Sequence, residues 1–583
     1  MEKYNKEVND MRTKRGKETS LLECLLKNLK VASTNEVNDW YRRYYDNNYR
    51  LDGMDEAKDI IDKFKDKEIH IIGDYDVDGV TATSIMYLGL KAYGCSKVFF
   101  RTPHRFSEGF GLKKTMVEEI TENDCLIITV DNGVAALEAV EYAKSRGMTV
   151  IVTDHHLPVT VDEEGIGFVP ILPEADLIID PNAIDGSADY TGYCGAGIAY
   201  KLMRHLLGET ARQYECIAAI GTIADVMELR EENFVIVKRG LEQLIKTNNI
   251  GLRALLERLQ KTEHVSAMDV GFTIGPCINA PGRLIDDGSM RSVELITADN
   301  KEDAKRLANF LVEQNYARKQ QVDQATKDII KDIEKNKMTE DIPIIAYIPK
   351  INEGIVGIVA ARVEEKYQRP AIILTDSENK DIYKGSARAP EGFNIKACLD
   401  RCADEIYAYG GHEGAAGLSI EGRKLKSFRE ACQESAKAEG YKPSSNADIS
   451  YDFEVNMADI PDAIDLIEKF EPHGEGNPTL IIKVPDFVNI PKNSLYKTMV
   501  GTEGIKFFGE NLTAVNFHAA KSFADYEKPE KMILYGELSY NYYKGNKTPQ
   551  INFIDFEVVS SISDAGNQTP FADLLSVMAS MRE

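Results

Sequence analysis

From Glu68 onward, short runs of β-branched and aliphatic residues alternate with segments of helical spacing, and this alternation constrains the fold most. The runs are IHIIGD from residue 69, VFF at 98–100, CLIITVD at 125–131, TVIVTD at 149–154 and DLIID at 176–180. Continuous apolar strands separated by helices are typical of a parallel sheet that is buried on both faces. We therefore predict an α/β fold with helices on both sides of a parallel sheet.

The aspartates at the ends of three of these strands are the first candidates for a functional site. Asp74, Asp76 and Asp78 lie in IIGDYDVDGVTATS, Asp131 lies in VDNG and Asp154 lies in TDHH. Alternate side chains of an extended segment share a face, so the first three are expected to point the same way if the strand continues through them. Ligands of open α/β sheets bind beyond the carboxyl ends of the strands, where all these carboxylates fall.

The first acidic stretch has two simpler interpretations. D-x-D-x-D-G also opens an EF-hand loop, but the twelfth position is Ile85 rather than a bidentate glutamate, and the preceding residues are strand-like. An acidic turn without function is the other alternative when this stretch is taken alone.

Two histidines and a further aspartate extend the acidic set. His155 and His156 follow Asp154 directly, and Asp225 ends the apolar run CIAAIGTIADV. Aspartate and imidazole without thiolate suit Mn²⁺ better than Ca²⁺, and the carboxylates suffice for two ions about 3.5–4 Å apart. Such a pair activates water and stabilises the attacking and leaving oxygens at phosphorus, so we predict phosphoester hydrolysis.

Length and charge limit the classes of function. A chain of 583 residues predicts about three or four domains. The net charge of -24 argues against non-specific coating of nucleic acid, which needs broad basic surfaces, but it permits a basic groove within one cleft.

Cysteine spacing and the N-terminus indicate the compartment. The nine cysteines include no C-x-x-C pair, and only Cys398 and Cys402 are close in sequence, so neither a zinc ribbon nor a disulfide framework is expected. The N-terminus is too polar for a secretion signal, and no apolar run approaches the roughly 18 residues of a membrane span. We expect a cytoplasmic protein that does not enter membranes.

The order of the motifs resembles a known family. GDYDVDGVTAT, VDNG, TDHH and GTIADV are similar to the four motifs of the DHH phosphoesterase superfamily. RTPHRFSEGFGL at 101–112, CGAG at 194–197 and CINAPGRL at 277–284 resemble the RecJ single-strand-specific 5′ to 3′ exonucleases. The residues alone make 191–197 a glycine-rich turn before a helix, not a Walker loop, because G-K-[ST] is absent. The resemblance spans about residues 50–560.

This resemblance implies specific roles by motif position. The implied ligands of two Mn²⁺ ions, with Mg²⁺ as the alternative, are Asp74, Asp76, Asp78, Asp131, His155 and Asp225. The implied catalytic set is Asp76, Asp78, Asp131, His155, His156 and Asp225. The implied substrate-binding residues are Arg105, Asn279, Arg283, Ser386, Arg388 and His412. Arg283 is expected to steady the scissile phosphate, while Arg105, Ser386 and Arg388 hold the 5′-phosphate.

The segment 342–435 restarts the α/β pattern and resembles the DHH-associated domain. Ser386 and Arg388 in KGSARAPEG offer a hydroxyl and a bidentate guanidinium to phosphate. The glycines of YGGHEG permit close backbone approach and would place His412 near the substrate. The RecJ pattern usually has a tryptophan-histidine pair before GIVGIVA, whereas this chain has Ile351, Asn352 and Glu353.

KPSSNADIS at 442–450 is a predicted linker, and short strands follow it. TLIIKV, GIKFF, NLTAVNF, KMILYGELSY and QINFIDFEVV predict a small β-barrel that resembles the oligonucleotide-binding (OB) fold of RecJ. Its aromatic and basic candidates for single-strand contact are Phe507, Phe508, Tyr540, Tyr542, Tyr543, Lys544 and Lys547. The sequence leaves open whether these aromatics stack on bases or fill the barrel core.

The predicted domains are an N-terminal helical lead-in (1–65), a DHH domain (66–285), connecting helices (286–340), a DHH-associated domain (341–442), an OB domain (448–560) and a tail (561–583). The resemblance implies a monomeric exonuclease that degrades single-stranded DNA from its 5′ end in repair and recombination, with a single-strand-binding protein or a helicase as partner. The alternative is a DHH phosphodiesterase that acts on short oligoribonucleotides or other RNA.

Overall fold

The structure is a computed structural model. It describes residues 20–163, 167–377, 379, 381–441, 450–490, 497–498, 504–517, 529–543 and 545–561. Lys544 and the predicted tail from residue 562 lie outside the described residues. No helix in the described part is long and apolar enough to span a membrane.

The first lobe is built on a parallel sheet. Its strands are β1 (Glu68–Ile72), β2 (Lys97–Arg101), β3 (Leu126–Val130), β4 (Thr149–Thr153), β5 (Val159–Glu163), β6 (Gly167–Ile171) and β7 (Leu177–Ile179). Five of them form a sheet in the order β2-β1-β3-β4-β7, with every neighbouring pair parallel. The predicted parallel sheet is thus confirmed, while the antiparallel β5–β6 hairpin lies apart from it.

Helices flank this sheet and continue beyond it. They are α1 (Leu21–Asn28), α2 (Thr34–Tyr45), α3 (Met54–Lys63), α4 (Val77–Tyr93), α5 (Lys114–Glu119), α6 (Leu137–Ser145), α7 (Gly195–Leu207), α8 (Glu215–Ala224), α9 (Glu231–Leu244), α10 (Ile250–Leu259), α11 (Ala267–Asp269), α12 (Gly275–Leu284), α13 (Gly288–Ile296) and α14 (Lys301–Lys335). A 3₁₀ segment spans Gly208–Tyr214, and a π-helical turn spans Val270–Ile274. The 35-residue α14 leads to the next lobe.

The second lobe is smaller and has a mixed sheet. Its strands are β8 (Ile344–Tyr347), β9 (Ala371–Asp376), β10 (Ile382–Arg388), β11 (Ala408–His412) and β12 (Ala415–Glu421), and its helices are α15 (Glu353–Tyr367), α16 (Ile395–Asp400) and α17 (Leu425–Glu439). The strand order is β11-β12-β10-β9-β8, in which only β8 and β9 are parallel. Short 3₁₀ turns occupy Ala403–Glu405 and Gly422–Lys424.

The described residues of a C-terminal domain form one helix and seven paired strands. They are β13 (Phe453–Glu454), α18 (Ile460–Lys469), β14 (Ile482–Val488), β15 (Lys497–Thr498), β16 (Ile505–Phe508), β17 (Thr513–Asn516), β18 (Pro529–Tyr543) and β19 (Asn546–Ser561), after a 3₁₀ turn at Met457–Asp459. The order is β13-β14-β18-β19-β17-β16-β15. The five predicted strands are present, but β18 and β19 are long, at 15 and 16 residues.

The apolar cores do not follow the order of the domains along the chain. One continuous core contains Leu25 of α1, Ile71 of β1 and Phe487 and Phe553 of the C-terminal sheet. The backbone N–H of Leu229 also donates to the C-terminal domain, at the carbonyl of Glu475 (2.8 Å). The smaller lobe has its own cores. The N-terminal helices are therefore part of the packing between the first lobe and the C-terminal domain.

Candidate metal centre

The loop after β1 turns at once into a helix. The strand ends at Ile72, Asp76 caps the start of α4, and Asp78 lies in the first helical turn. The expectation that the strand continues through the three aspartates is therefore wrong. Asp76 accepts a hydrogen bond from the N–H of Gly79 (3.1 Å), which stabilises the helix start. The helix start turns the acidic side chains toward the ends of the neighbouring strands.

The loops after β3 and β4 lie beside this one, because the three strands are neighbours in the sheet. Asp131 follows β3 with a φ of 61°, a left-handed conformation that aspartate and asparagine tolerate better than most residues. Asp154 follows β4 and accepts hydrogen bonds from the N–H of Val134 (2.9 Å), the N–H of His155 (2.8 Å) and Nδ1 of His156 (2.7 Å). Asp154 thus fixes the turn that carries both histidines.

Asp78 and Asp225 come from helices. Asp225 follows α8, so the run CIAAIGTIADV is a helix end. The carboxylate of Asp78 accepts the N–H groups of Gly195 (2.6 Å) and Ala196 (2.9 Å) at the N-terminus of α7, where the helix dipole favours negative charge. A Cβ at Gly195 would lie 2.4 Å from Cβ of Asp131, so this close approach requires glycine.

All six predicted ligands converge. Three groups each have ligand atoms within 4.8 Å of one another: Asp74, Asp76 and Asp131; Asp131, His155 and His156; Asp78, His155 and Asp225. Nε2 of His155 is 3.1 Å from Oδ1 of Asp131, 3.6 Å from Oδ2 of Asp225 and 3.9 Å from Oδ2 of Asp78. Because Asp131 and His155 each belong to two groups, the geometry supports two adjacent ion positions.

The electrostatics of the cluster call for cations. Burial and the charge of Asp76 raise the pKa of Asp74 to about 8, and burial with Asp78 raises the pKa of Asp225 to about 8. Burial and neighbouring aspartates raise the pKa of Asp131 well above its ordinary range. Divalent cations would remove this repulsion, and the oxygen and imidazole donors fit Mn²⁺ or Mg²⁺.

The two histidines differ in charge state. Burial lowers the pKa of His155, which keeps its imidazole neutral and able to bind a metal. Burial opposes charge on His156 as well, but its hydrogen bond to Asp154 and the nearby carboxylates raise its pKa to about 9. His155 therefore suits a ligand, whereas His156 is held as a cation against Asp154.

Arginines surround the acidic centre. The guanidinium of Arg105 lies 4.3 Å from the ring centroid of Tyr75, and its buried Nη1 has no hydrogen-bond partner in the described part of the chain. Arg283 lies in the last turn of α12 and donates from Nη1 to the carbonyl of Gly354 (3.1 Å). Burial, with the charges of Arg105 and Arg318, lowers the pKa of Arg283 to about 10. The charged form of Arg283 is therefore disfavoured until an anion binds beside it.

A cleft of about 1080 Å³ leads away from the metal centre. It runs from Val77, beside Asp76, past Asn279 and Arg283 to Tyr543 on β18. Oδ1 of Asn279 is buried and lacks a hydrogen-bond partner among the described residues. The cleft therefore joins the first lobe to the C-terminal domain along α12.

In the smaller lobe, Ser386 and Arg388 lie together on β10. Nη1 of Arg388 donates to Oγ of Ser386 (2.8 Å) and to the carbonyl of Ala387 (2.7 Å). A Cβ at Gly357 of α15 would lie 2.9 Å from Nη2 of Arg388, so the helix packs directly on this pair. Burial lowers the pKa of Arg388. The pair is thus packed in place at the side of α15.

His412 and Asn352 occupy different positions in this lobe. His412 is exposed at the end of the edge strand β11, where its Nδ1 accepts the N–H of Gly414 (3.3 Å). Asn352 caps α15 by accepting the N–H of Gly354 (2.8 Å) and donates to the carbonyl of Leu284 (3.4 Å). At the position of the usual histidine, this chain therefore has a residue that joins α15 to the end of α12.

The aromatic residues of the C-terminal domain divide between core and surface. Phe507 is fully buried, so the interpretation as a stacking residue is wrong for it. The hydroxyls of Tyr540 and Tyr542 bond to Asp465 (3.0 Å) and Glu468 (2.7 Å) of α18. Lys547 also pairs with Glu468 (3.1 Å).

Two of the aromatic candidates for single-strand contact stay on the surface. Tyr543 is 61% exposed and lines the cleft, and Phe508 is 37% exposed with Nζ of Lys506 5.5 Å from its ring centroid. Of the two, Tyr543 is the one that lines the cleft.

Sequence reasoning missed Phe272 as a cleft residue. It is 75% exposed, lines the cleft, and lies in the π-helical turn Val270–Ile274. No spacing in VGFTIGP marks this exposure, because it follows from a local helix irregularity.

The comparisons with known proteins agree with this architecture. Residues 68–228 match the DHH family, N-terminal domain, residues 342–438 match the DHHA1 domain, and residues 451–555 match the RecJ OB domain. They confirm the predicted fold class, a parallel-sheet DHH domain followed by a DHH-associated domain and an OB domain.

Curated relatives and solved structures point to one family. The chain is 32% identical to the single-stranded-DNA-specific exonuclease RecJ of Bacillus subtilis, over 92% of this chain and 67% of that protein. It is 34% identical to the Salmonella typhimurium enzyme of the same name, over 65% of this chain and 68% of that protein. A crystal structure of exonuclease RecJ bound to manganese matches with 30% identity and a TM-score of 0.57, over 66% of this chain and 95% of that one.

A second solved structure supports the fold over a longer span. RecJ in complex with Mn²⁺ from Thermus thermophilus matches with a TM-score of 0.69 and 24% identity, over 88% of this chain and 72% of that one. Sequence identity, matched domains and fold agree over most of the chain, and the protein belongs to the RecJ family of DHH phosphoesterases.

Proposed function

We propose that this protein is a metal-dependent exonuclease that hydrolyses single-stranded DNA from its 5′ end in repair and recombination. The observation that carries the proposal is the cluster of six converging ligands, beside a cleft that continues to the OB domain. Relatives named single-stranded-DNA-specific exonucleases support the substrate, and the manganese-bound relative supports the metal.

The acidic residues would hold two divalent cations. Asp74 and Asp76 lie on one side of Asp131, and Asp78 and Asp225 lie on the side of His155, so Asp131 is placed between the two positions. A bound cation pair supplies Lewis acidity for attack of water on phosphorus and stabilises the leaving oxygen. The N–H groups at the start of α7 orient Asp78, and Asp154 orients the turn of His155.

The arginines beside the centre would neutralise the substrate. Burial and the charge of Arg105 disfavour the charged form of Arg283, and a phosphodiester would relieve that repulsion. Arg283 would therefore steady the scissile phosphate, and Asn279 would donate from its amide to a neighbouring oxygen. The metals and these side chains would then hold the reacting phosphate from opposite sides.

A separate pocket would determine the end of the strand from which hydrolysis proceeds. Ser386 and Arg388 on β10 offer a hydroxyl and a planar guanidinium, which suit a terminal phosphate. Together with Arg105 of the first lobe they would hold the 5′-phosphate, and exposed His412 would contact the strand near its end. A captured end fixes how far the strand threads past the metals, so hydrolysis proceeds from that end.

We also expect the protein to be monomeric and cytoplasmic. One chain supplies both walls of the cleft, so we expect a monomer that receives single strands from a helicase or a single-strand-binding protein. All nine cysteines are buried and free of disulfides, which fits a reducing cytoplasm.

The test uses purified protein, Mn²⁺, and single strands of DNA and RNA labelled at either end. We expect early release of labelled mononucleotide from 5′-labelled DNA and late release of label from 3′-labelled DNA. Release from the 3′ end first would contradict the polarity. Faster hydrolysis of RNA would instead support the oligoribonucleotide phosphodiesterase.

A further inference from the structure

Three buried cysteines meet in the smaller lobe. Cys398 lies in α16, Cys402 follows that helix, and Cys432 lies in α17. Their sulfur atoms all lie within 4.8 Å of one another, and their exposed fractions are 0%, 3% and 0%. Cys432 is remote in sequence, so only the packing of α17 on α16 completes the group.

The surroundings add a hydroxyl and a positive charge. Oγ of Ser435 donates to the carbonyl of Cys398 (3.4 Å). Nε of Arg401 donates to the same hydroxyl (2.7 Å). The group is therefore not a purely apolar set of thiols packed as small hydrophobic side chains.

We propose that Cys398, Cys402 and Cys432 bind a thiophilic metal ion of the Zn²⁺ class, with the Ser435 hydroxyl at the fourth position. The C-x₃-C spacing of the first two matches that of paired zinc ligands, and thiolates select Zn²⁺ over the hard ions of the acidic centre. Three thiolates and Zn²⁺ carry one net negative charge, which Arg401 balances. Each thiol loses its proton to solvent on binding, and no oxidation occurs.

The ion would stabilise the part of the smaller lobe that carries His412. It would tie α16 to α17, and the neighbouring Asp400 of α16 accepts a hydrogen bond from the Tyr409 hydroxyl of β11 (2.9 Å). β11 ends at His412. The metal would therefore stabilise the lobe independently of the catalytic ions.

The test measures metal binding rather than hydrolysis. The full chain, stripped of metal and kept reduced, is held in excess Mg²⁺ to fill the acidic centre and titrated with Cd²⁺ as a spectroscopic substitute for Zn²⁺. We expect ultraviolet thiolate-to-cadmium charge-transfer absorption that saturates at one ion per chain and is displaced by Zn²⁺. Cys432→Ser should lose most of it, whereas Cys216→Ser, another buried thiol, should retain it.

A measurement on the unaltered chain covers the case in which Cys432→Ser does not fold. In moderate denaturant, Zn²⁺ should slow alkylation of Cys398, Cys402 and Cys432 several-fold, mapped by mass spectrometry, and leave Cys216 unaffected. No charge-transfer band, an unchanged band in folded Cys432→Ser, or equal alkylation with and without Zn²⁺ would overturn the proposal. A disulfide among the three in metal-free protein would also overturn it.

Discussion

The acidic centre of the first lobe and the arginines around it carry opposite charges but face the same electrostatic problem. Burial and mutual repulsion raise the pKa of Asp74, Asp131 and Asp225, and burial lowers the pKa of Arg283 and Arg388. In both regions the charged form is disfavoured until a counter-ion arrives. Metal ions would satisfy the first region, and substrate phosphates would satisfy the second.

The two regions differ in how they are held. The carboxylates stand on short side chains fixed at strand ends and helix starts, and their oxygens converge within 4.8 Å. The guanidinium groups reach inward on long side chains from separate elements. Loss of one ligand should therefore disable the whole metal centre, whereas loss of one arginine should remove one contact.

The largest effect is expected at Asp131. Asp131→Ala should reduce the rate of hydrolysis by about a thousandfold or more, because metal-ion catalysis supplies several kcal/mol. Asp131→Asn should lose as much activity while it keeps the left-handed backbone at φ 61° unstrained. The measurement is initial rate on 5′-labelled single-stranded DNA at saturating Mn²⁺.

Asp180→Asn is the matched control for Asp131. Asp180 is also buried and follows the neighbouring strand β7, but it lies outside the ligand groups of the described residues. It should retain activity within about tenfold. Asp131 variants that stay folded and retain activity within about tenfold would remove Asp131 from the metal centre.

Loss of a single arginine should have a smaller effect than loss of a metal ligand. Each charge-assisted contact contributes roughly 1.5–3 kcal/mol, so Arg388→Ala should lower the preference for 5′-phosphorylated over 5′-hydroxyl strands by about ten- to a hundredfold. Metal binding should stay unchanged. The measurement is the ratio of initial rates on the two substrates at subsaturating concentration.

Arg423→Ala serves as the control for Arg388, because Arg423 is exposed in the same lobe and pairs only locally with Glu421. It should leave the ratio of rates unaltered. Two results would contradict a role of Arg388 in binding the 5′-phosphate. One is a ratio of rates near one for the unaltered enzyme, and the other is an unaltered ratio in Arg388→Ala.

An aromatic side chain carries no net charge. Its loss should therefore neither disable the metal centre nor change the preference for 5′-phosphorylated strands. Tyr543→Ala should weaken binding of long single strands by about fivefold, since stacking on a base contributes roughly 1 kcal/mol or more. Cutting of very short strands should change little. The equally aromatic Tyr451 is 44% exposed but does not line the cleft, so Tyr451→Ala should bind normally. Fluorescence anisotropy on strands of several lengths tests this, and equal weakening by both variants would contradict a specific role.

Deletion of the C-terminal domain is a poorer test of single-strand binding than Tyr543→Ala. The C-terminal sheet shares its apolar core with the first lobe, so removal of residues 450–560 would expose apolar residues that this core now buries. A deleted protein would lose stability before its binding could be interpreted.

The smallest effect is a pH dependence of stability. In the metal-free fold the pKa of Asp74 and of Asp225 is about 8, above the unfolded value near 4. The stability that these groups contribute is therefore full at low pH and is lost as pH rises from about 4 through about 8. Mn²⁺ needs the ionised carboxylates, so its stabilisation should increase over the same range.

Thermal unfolding with Mn²⁺ or with EDTA at about pH 6 and about pH 8 measures this dependence. We expect the Mn²⁺-induced increase in Tm to grow by a few degrees toward the higher pH. Asp131→Asn should show a smaller increase, because one repelling charge and one ligand are gone. An increase in Tm that is the same at both pH values would contradict repulsion among the carboxylates.

Much of the site was predictable because its residues follow recognisable strands. The runs before Asp131 and Asp154 are uninterrupted and apolar, and parallel strands bring their carboxyl ends to one edge of a sheet. Asp225 was found because it ends an apolar run, although that run is a helix. The exposure of Phe272 and the burial of Phe507 were not predictable, since each depends on local geometry or packing that no spacing encodes.

The sequence by itself determined the alternation of strands and helices, the family motifs and the acidic residues that end the strands, because these depend on nearby residues and on a regular period. Tertiary structure alone decided that Asp78 meets the start of α7, that the C-terminal sheet shares a core with α1, and that Cys432 joins Cys398 and Cys402. The physical reason is that such contacts join residues far apart in the chain, and their free energy comes from burial and close approach after the elements have packed.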